Sequence, residues 1–525
     1  MQYDYDFIII GSGFGGSVSA LRLSEKGYKV LVVEKGKWYT SKDFAKTNWN
    51  LRKWLWIPSL RFFGIMKLSI FKHIAIISGT GVGGGSLVYA NTLPVPKSIF
   101  FKSGSWKDLE DWENTLKPFY KTALQMLGAA KNPKLYDGDL ALKAIAKDLG
   151  KEKDFEQPNV AVYFGEKGRT VQDPYFDGKG PTRTGCIFCG ACMTGCKHNA
   201  KNTLDKNYLY LAQKLGATIL AENEVYNVIP LKNKSKESTG YTVQLKSSTN
   251  FFKSKKQYTS KGVIFSGGVL GTIKLLLNLK TKSLPKLSHK LGDDIRTNNE
   301  TLISVSTLDK GKDMSKGVAI GSLLHTDKNS HLEVVRYSKG SGFWKLLHLT
   351  YVTGSNPASR ILKIFIQFFK TPLTYFKVYC LNSWSKSTSV LLFMQTLDST
   401  LRFKKNRLFG MATEVSSGAK PSSDIPESKF LTDKFSKKVN GKATSFALEA
   451  LAGIPTTAHI LGGAVMGANA EKGVINKDNL VFGYKDMYII DGSMISANPG
   501  VNPSLSITAI AERAMSKIPN KSNLL

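Results

Sequence analysis

Cysteine, acidic charge and unbroken apolar runs are what this chain has least of. Five cysteines in 525 residues, four of them between positions 186 and 196, cannot staple a chain of this size. A disulfide framework is excluded, and stability must come from a large buried core. Asp and Glu number 40 against 73 Lys and Arg, a net charge of +33. Nucleic acid is the first partner such a charge suggests, but the basic residues are spread through the chain and no recognition module is present, so it is excluded. An anionic membrane surface fits the charge, and so does a solvated lysine-rich exterior. Residues 74–96, 450–470 and 492–511 carry no long charged stretch, yet each is broken by Gly, Pro, Asn or His. Hydrocarbon does not tolerate such breaks, and none of the three is expected to span a membrane. An apolar strand begins close to Met1, leaving no room for a leader, which predicts a cytoplasmic chain.

What is present is concentrated at the start. Residues 4–36 read DYDFIIIGSGFGGSVSALRLSEKGYKVLVVEKG. The apolar run 7–10 suits a buried parallel strand. Gly11, Gly13 and Gly16 follow in G-x-G-x-x-G spacing, a helical pattern carries Val18, Leu21 and Leu23, and a second buried strand ends at Glu34. Gly11 allows the tight turn, Gly13 lets backbone approach a diphosphate, and Gly16 lets helix and strand pack closely. Glu34 would accept hydrogen bonds from a ribose with a free 2′-hydroxyl, which disfavours a 2′-phosphorylated cofactor. With strand, helix, strand and terminal acid all in place, this is a dinucleotide site.

Further along, residues 79–85 hold five glycines and run into Ser86, Leu87 and Val88. Linkers are polar, so Gly84, Gly85 and Ser86 read as a second cofactor-contact loop. Residues 48–77 and 360–384 interleave large aromatics with Arg and Lys. Each fits either a membrane interface or a helix whose apolar side is core. Cys186, Cys189, Cys192 and Cys196 form C-x2-C-x2-C-x3-C, the run that wraps iron–sulfur clusters, with His198 close by. Zinc and reduced structural thiols are the alternatives. Strand patterns at 217–220, 224–229, 241–245 and 263–265 return the chain to the first sheet. Near the end, His459 in TTAHILGGAVMG and Asn502 in GVNPSLS lie in Gly/Pro-shaped loops, where backbone aims side chains.

With these pieces assembled, the chain resembles the glucose–methanol–choline (GMC) flavoprotein oxidoreductases, in particular their cholesterol oxidase-like branch. The matches are GSGFGGS with Glu34, GVGGGSLV at 81–88, VIFSGGVLGTIKLL, HILGG at 459–463, and YIIDGSMISANPGVNPSLSITAIAER. The resemblance implies an α/β fold: a Rossmann-type FAD-binding domain beside a second, mainly antiparallel-sheet substrate domain. The expected division is 1–100, 185–290 and 455–525 for FAD, with 101–184 and 291–454 for substrate. It implies FAD, contacted also by Val225, Asp491 and Asn502, and oxidation of an alcohol to a carbonyl. His459 and Asn502 match the catalytic pair. Sterol oxidases also use a glutamate for isomerisation, and Glu333 is the nearest candidate by region. The implied substrate is a lipophilic alcohol, a sterol or long-chain alcohol, with O2 or an electron carrier as acceptor and peripheral contact with the membrane inner face. Two alternatives stand beside this: an iron–sulfur FAD dehydrogenase of a sugar or other alcohol, and a non-catalytic flavin-binding or redox-sensing protein.

Overall fold

In the computed structural model, residues 2–232, 238–354, 356–397, 399–406 and 410–524 are described. The strand Tyr5–Ile10 forms because its last four residues are apolar and buried on both faces, as a covered parallel strand requires. It pairs in parallel with Val30–Val33 on one side and Lys255–Phe265 on the other. Thr218–Leu220 extends the sheet beyond Val30–Val33, and Met487–Ile489 pairs with Lys255–Phe265, both in parallel. The antiparallel strands Asn223–Lys232 and Ser238–Ser247 complete it. Helices Phe14–Glu25 and Ser504–Ser516 cover one face and share a core containing Val18, Leu21, Leu505 and Ala509. Arg22 on the first helix meets Glu512 on the second at 2.7 Å, joining the two ends of the chain.

The second sheet is antiparallel throughout. Its order is His348–Thr350, Gly441–Phe446, Thr301–Thr307, Thr388–Gln395, Ser330–Val335, Ile320–His325 and Phe155–Glu156. One face packs Leu332, Val334, Leu391 and Phe393 under helices Asp137–Asp148 and Pro426–Lys438. The alternate residues, among them Leu302, Ile320, Val335 and Leu392, point into a cavity shared with the first sheet. The two-sheet α/β architecture is therefore the one expected.

Three segments differ from expectation. Residues 101–184 divide between the two halves. Phe101, Trp106, Trp112, Leu116 and Leu127 belong to the first core because helix Trp112–Met126 lies against Ser504–Ser516, with Tyr120 Oη 2.8 Å from Ser506 Oγ. Within 291–454, the hairpin strands Thr400–Asn406 and Gly410–Ser417 also send Leu401, Phe403 and Met411 into the first core. Residues 48–77, read as either a membrane interface or a helix with an apolar core side, form a short helix, Leu51–Trp54, and short strands. Trp54 is fully buried there, its ring 5.0 Å from that of Trp344, and Trp56 is buried too, whereas Trp49 is 47% exposed.

Residues 360–384 behave in the opposite way. They fold as helices Pro357–Lys370 and Pro372–Tyr379, and several of their apolar side chains face outward: Leu362 is 61% exposed, Phe369 71% and Leu373 75%. Buried Arg360 ties the first helix down, donating to the carbonyls of Gly354 and Glu449 and pairing with Asp424 at 2.6 Å. Among the described residues no helix is long and apolar enough to cross a membrane.

Candidate active site

The glycine turn is built as its spacing requires. Gly11 has φ +105°, and a Cβ there would lie 2.2 Å from the Ser266 carbonyl; a Cβ on Gly16 would lie 2.1 Å from the Gly11 carbonyl. Gly13 is different, because a Cβ on it would meet no protein atom within 4 Å. Its backbone faces an open cavity of about 630 Å³. Helix Phe14–Glu25 starts at Gly13 with no side-chain cap and no acidic residue in its first turn. Its free N–H groups and positive dipole end thus open onto the cavity, where a diphosphate would satisfy them.

Glu34, Gly84, Gly85, Val225, Asp491 and Asn502 also line this cavity, as does His459. Glu34 accepts from the Ser12 hydroxyl at 2.8 Å and from Gly36 N–H at 2.8 Å. That fixes the carboxylate at the strand end with lone pairs to spare for a ribose. Asp491 accepts from Thr272 and Ser493, and burial raises its pKa against those hydrogen bonds. Ser86 corrects the expectation. It is fully buried, donates to the Gly83 carbonyl and accepts from Leu204 N–H, so it braces the glycine loop instead of facing the cofactor. Gly16 likewise serves packing alone.

Four lysines, Lys35, Lys67, Lys246 and Lys274, also line the cavity, and no motif around them announces it. The charge of Lys35, then burial, then Lys274 push the Lys67 ammonium down to about 7. Crowded cations around a glycine turn suit an anionic ligand. The buried turn, the open face of Gly13 and this cation excess together fit an adenine dinucleotide.

At the other end, the loop carrying His459 is pinned from both sides. Thr456–Thr457 pairs in parallel with the strand Ala75–Gly79, and Leu461 exchanges backbone hydrogen bonds with Arg296. His459 Nδ1 donates to Glu300 Oε2 at 2.6 Å, and Glu300 Oε1 accepts from Ala458 N–H at 2.6 Å. Burial alone would lower the imidazole pKa; the charge and hydrogen bond of Glu300, and the charge of Glu333, outweigh it and raise it. Because Nδ1–H is committed to a carboxylate, neutral His459 presents Nε2 as an acceptor. Nε2 lies 3.4 Å from Asn502 Nδ2, which is itself 3.3 Å from Glu333 Oε2. Asn502 Oδ1 is buried and has no partner within the protein, leaving it for a ligand. Glu333 is fully buried and reaches the site through Asn502. Glu300 has no signal of its own in the sequence.

Beyond His459 the cavity is lined by Met66, Val88, Met193, Tyr337, Trp344, Trp384 and Phe446. The imidazole in this part, His348, bonds Ser304 and the Trp344 carbonyl, and burial lowers it to about 4, so it is neutral.

The cysteine run does not fit the iron–sulfur expectation. Cys186, Cys189, Cys192 and Cys196 line a separate space of only about 20 Å³, with His198 and Lys201 beside them. That is room for about one water, not a cluster. Among the described residues no three His, Cys, Asp or Glu side chains are grouped to hold a metal ion. Burial and mutual repulsion raise the thiols of Cys186 and Cys192 and take Cys189 to about 11. Lys201 Nζ donates from this pocket to the carbonyls of Leu87, Tyr89 and Cys192, so the segment buttresses the glycine loop.

A dinucleotide turn facing an imidazole and a carboxamide across one cavity defines a flavin-type oxidoreductase. The chain belongs to the GMC oxidoreductase family: the family's N-terminal model matches residues 5–279 and its C-terminal model residues 411–511. The family uses FAD and acts on CH–OH donors. The chain is 44% identical to a cholesterol oxidase of Acinetobacter baumannii over all of this chain and 96% of that protein. It is 41% identical to a cholesterol oxidase of Mycobacterium tuberculosis, covering 99% and 92%. It is 22% identical to the long-chain-alcohol oxidase FAO4B of Arabidopsis thaliana, covering 98% and 67%. Among solved structures, pyridoxine 4-oxidase from Mesorbium loti shares the fold, with a TM-score of 0.59 at 13% identity over 98% of each chain.

Proposed function

We propose that the protein oxidises the CH–OH group of a lipophilic alcohol, a sterol or long-chain alcohol, with O2 as electron acceptor. The observation that carries this reading is the placement of His459 and Asn502 at the head of an apolar, aromatic-lined chamber. FAD held by Gly11, Gly13, Glu34, Gly84, Gly85, Val225 and Asp491 would supply the two-electron acceptor for hydride from the carbinol carbon. The chain's own residues do the rest. Nε2 of His459 takes the hydroxyl proton, Glu300 holds the ring in the tautomer that can accept it, and Asn502 fixes the hydroxyl's position. The apolar walls exclude water and bind the hydrocarbon body. Glu333 is fully buried and does not line the cavity, so the sterol-isomerising role expected of it is not assigned to it.

The exterior suits a substrate that dissolves in lipid and not in water. The outward Leu362, Phe365, Phe369 and Leu373, with Lys363, Lys370 and Lys377 around them, suit insertion at an anionic membrane face, and the net charge of +33 favours the same encounter. A cytoplasmic setting is supported by five unpaired cysteines. The relatives named oxidases, and the small space around the cysteines, favour an oxidase over an iron–sulfur dehydrogenase. Anaerobic bleaching of bound flavin by a panel of sterols, long-chain alcohols and sugars tests the function. Sterols or long-chain alcohols should bleach it fastest; bleaching by sugars alone would overturn the reading.

A further inference from the structure

A row of ionisable side chains leads away from Asn502 across the second sheet. Glu333 and His331 stand two residues apart on Ser330–Val335 and so share one face. Their side chains are 0% and 4% exposed, and His331 Nε2 lies 3.4 Å from Glu333 Oε1. His331 pairs across the ladder with His325 on the next strand, their ring centroids 5.9 Å apart. His325 Nε2 lies 3.4 Å from Oε1 of Glu156, which sits on the edge strand Phe155–Glu156 with its side chain 52% exposed. The row thus connects a carboxylate bonded to Asn502 with one in solvent.

Packing does not call for such a row. The neighbouring positions Val335, Leu392 and Met394 are apolar and buried. Buried polar and charged groups placed among them are costly unless they are partnered. Yet Glu333 Oε1, His331 Nε2 and His325 Nδ1 are buried with no hydrogen-bond partner in the protein. Buried polar groups left in this state mark sites where water or a mobile proton completes the network.

We propose that Glu333, His331, His325 and Glu156 form a proton route between the active-site cavity and solvent, a role that rests on the alcohol-oxidising reading of the cavity. When a carbinol becomes a carbonyl, its C–H and O–H bonds break, the C=O bond forms, and two electrons and two protons leave the substrate. Reduction of O2 to hydrogen peroxide consumes the same number. The overall reaction has no net proton, so the proton taken by His459 has two fates between the half-reactions: it stays on the imidazole until peroxide forms, or it leaves to solvent and another returns. The row provides for the second. Outward, water carries the proton from His459 Nε2 past the Asn502 amide to Glu333. Water likewise links the unpartnered Glu333 Oε1 and His331 Nε2, so that a proton passes to the imidazole. His331 releases one from its other ring nitrogen toward His325, and His325 Nε2 passes one to Glu156 Oε1. Each imidazole gains a proton on one nitrogen and loses one from the other, so only the proton is displaced. The hydrogen bond from His325 holds Glu156 below its ordinary pKa against burial, with help from His331 and Lys131, so the outer carboxylate is ionised at neutral pH.

The test is anaerobic stopped flow on the flavin-loaded protein in weak buffer, reading flavin absorbance and a pH-indicator dye in the same shot. In the wild type, proton release should keep pace with bleaching. In His331→Gln and His325→Gln, bleaching should stay within about twofold while proton release slows at least about tenfold. Free imidazole should restore release in His325→Ala, because that site opens toward the edge strand. Glu156→Gln, a surface change that leaves folding intact, should slow release by a smaller factor. Proton release that tracks bleaching in His325→Gln and Glu156→Gln would overturn the route. If no alcohol bleaches the wild type, the functional reading fails instead. The route is then tested by flash photoreduction of the bound flavin, with proton uptake slowed in the same variants if it is correct and unchanged if it is not.

Discussion

The two ends of the cavity are made of different material. At the cofactor end the working surface is backbone: the turn Gly11–Gly16, the Gly84–Gly85 loop and one anchored acid, Glu34. At the substrate end it is side chains from strands that lie far apart in sequence, brought together by an antiparallel sheet. A backbone site depends on spacing within one short segment and tolerates little change. A side-chain site depends on pairing between segments, and its members can be altered one at a time.

That contrast sets the order of the expected effects. Gly11→Val should be the most damaging, because the branched side chain combines a left-handed φ with a clash of 2.2 Å on backbone. It should leave protein without flavin, checked by loss of the visible flavin absorbance band. Serine in place of Phe365, Phe369 and Leu373 together should weaken binding to anionic vesicles about a hundredfold in a sedimentation assay, while turnover of detergent-dispersed alcohol stays near wild type.

Glu300→Gln should keep flavin but lower kcat/KM about 10- to 100-fold, since the imidazole loses its orienting carboxylate. The sign of its pH effect is fixed. Glu300 raises the His459 pKa, and the base works unprotonated, so the acid limb of the profile should move to lower pH in the variant. A limb that moves upward would contradict the pairing. A smaller effect is expected for Glu449, fully buried and raised to about 8 by burial. Its folded-state pKa lies above the unfolded value of about 4.3, so the folded protein holds the extra proton between those limits and stability falls as pH rises through that window. Melting temperatures of Glu449→Gln should fall less steeply than wild type from about pH 5 to 8.

The same contrast explains what could be read in advance. Gly11, Gly13, Gly16 and Glu34 were legible because one short strand–helix–strand unit contains every constraint on them. His459 and Asn502 stood out through flanking Gly and Pro and through the family's motifs. Glu300 was not legible: it meets His459 across 159 positions, and nothing in its own neighbourhood hints at that contact. Glu333 could be placed only by region, and its link to Asn502 exists only once two sheets face each other. The four cysteines misled because their spacing is that of a cluster, while the deciding quantity is the space between them. Residues 48–77 and 360–384 have the same aromatic-basic composition, yet Trp54 lies under Trp344 and Phe369 faces outward. Composition sets what a segment can do, and its tertiary neighbour decides which.

One imidazole, His459, held by Glu300, takes the substrate proton at a flavin whose binding it does not control. The most direct measurement is the anaerobic single-turnover bleaching rate of His459→Ala with a lipophilic alcohol that bleaches the wild type. Full flavin content is expected, with bleaching slowed about 10²- to 10⁴-fold. Bleaching at the wild-type rate in a fully flavin-loaded variant would contradict it.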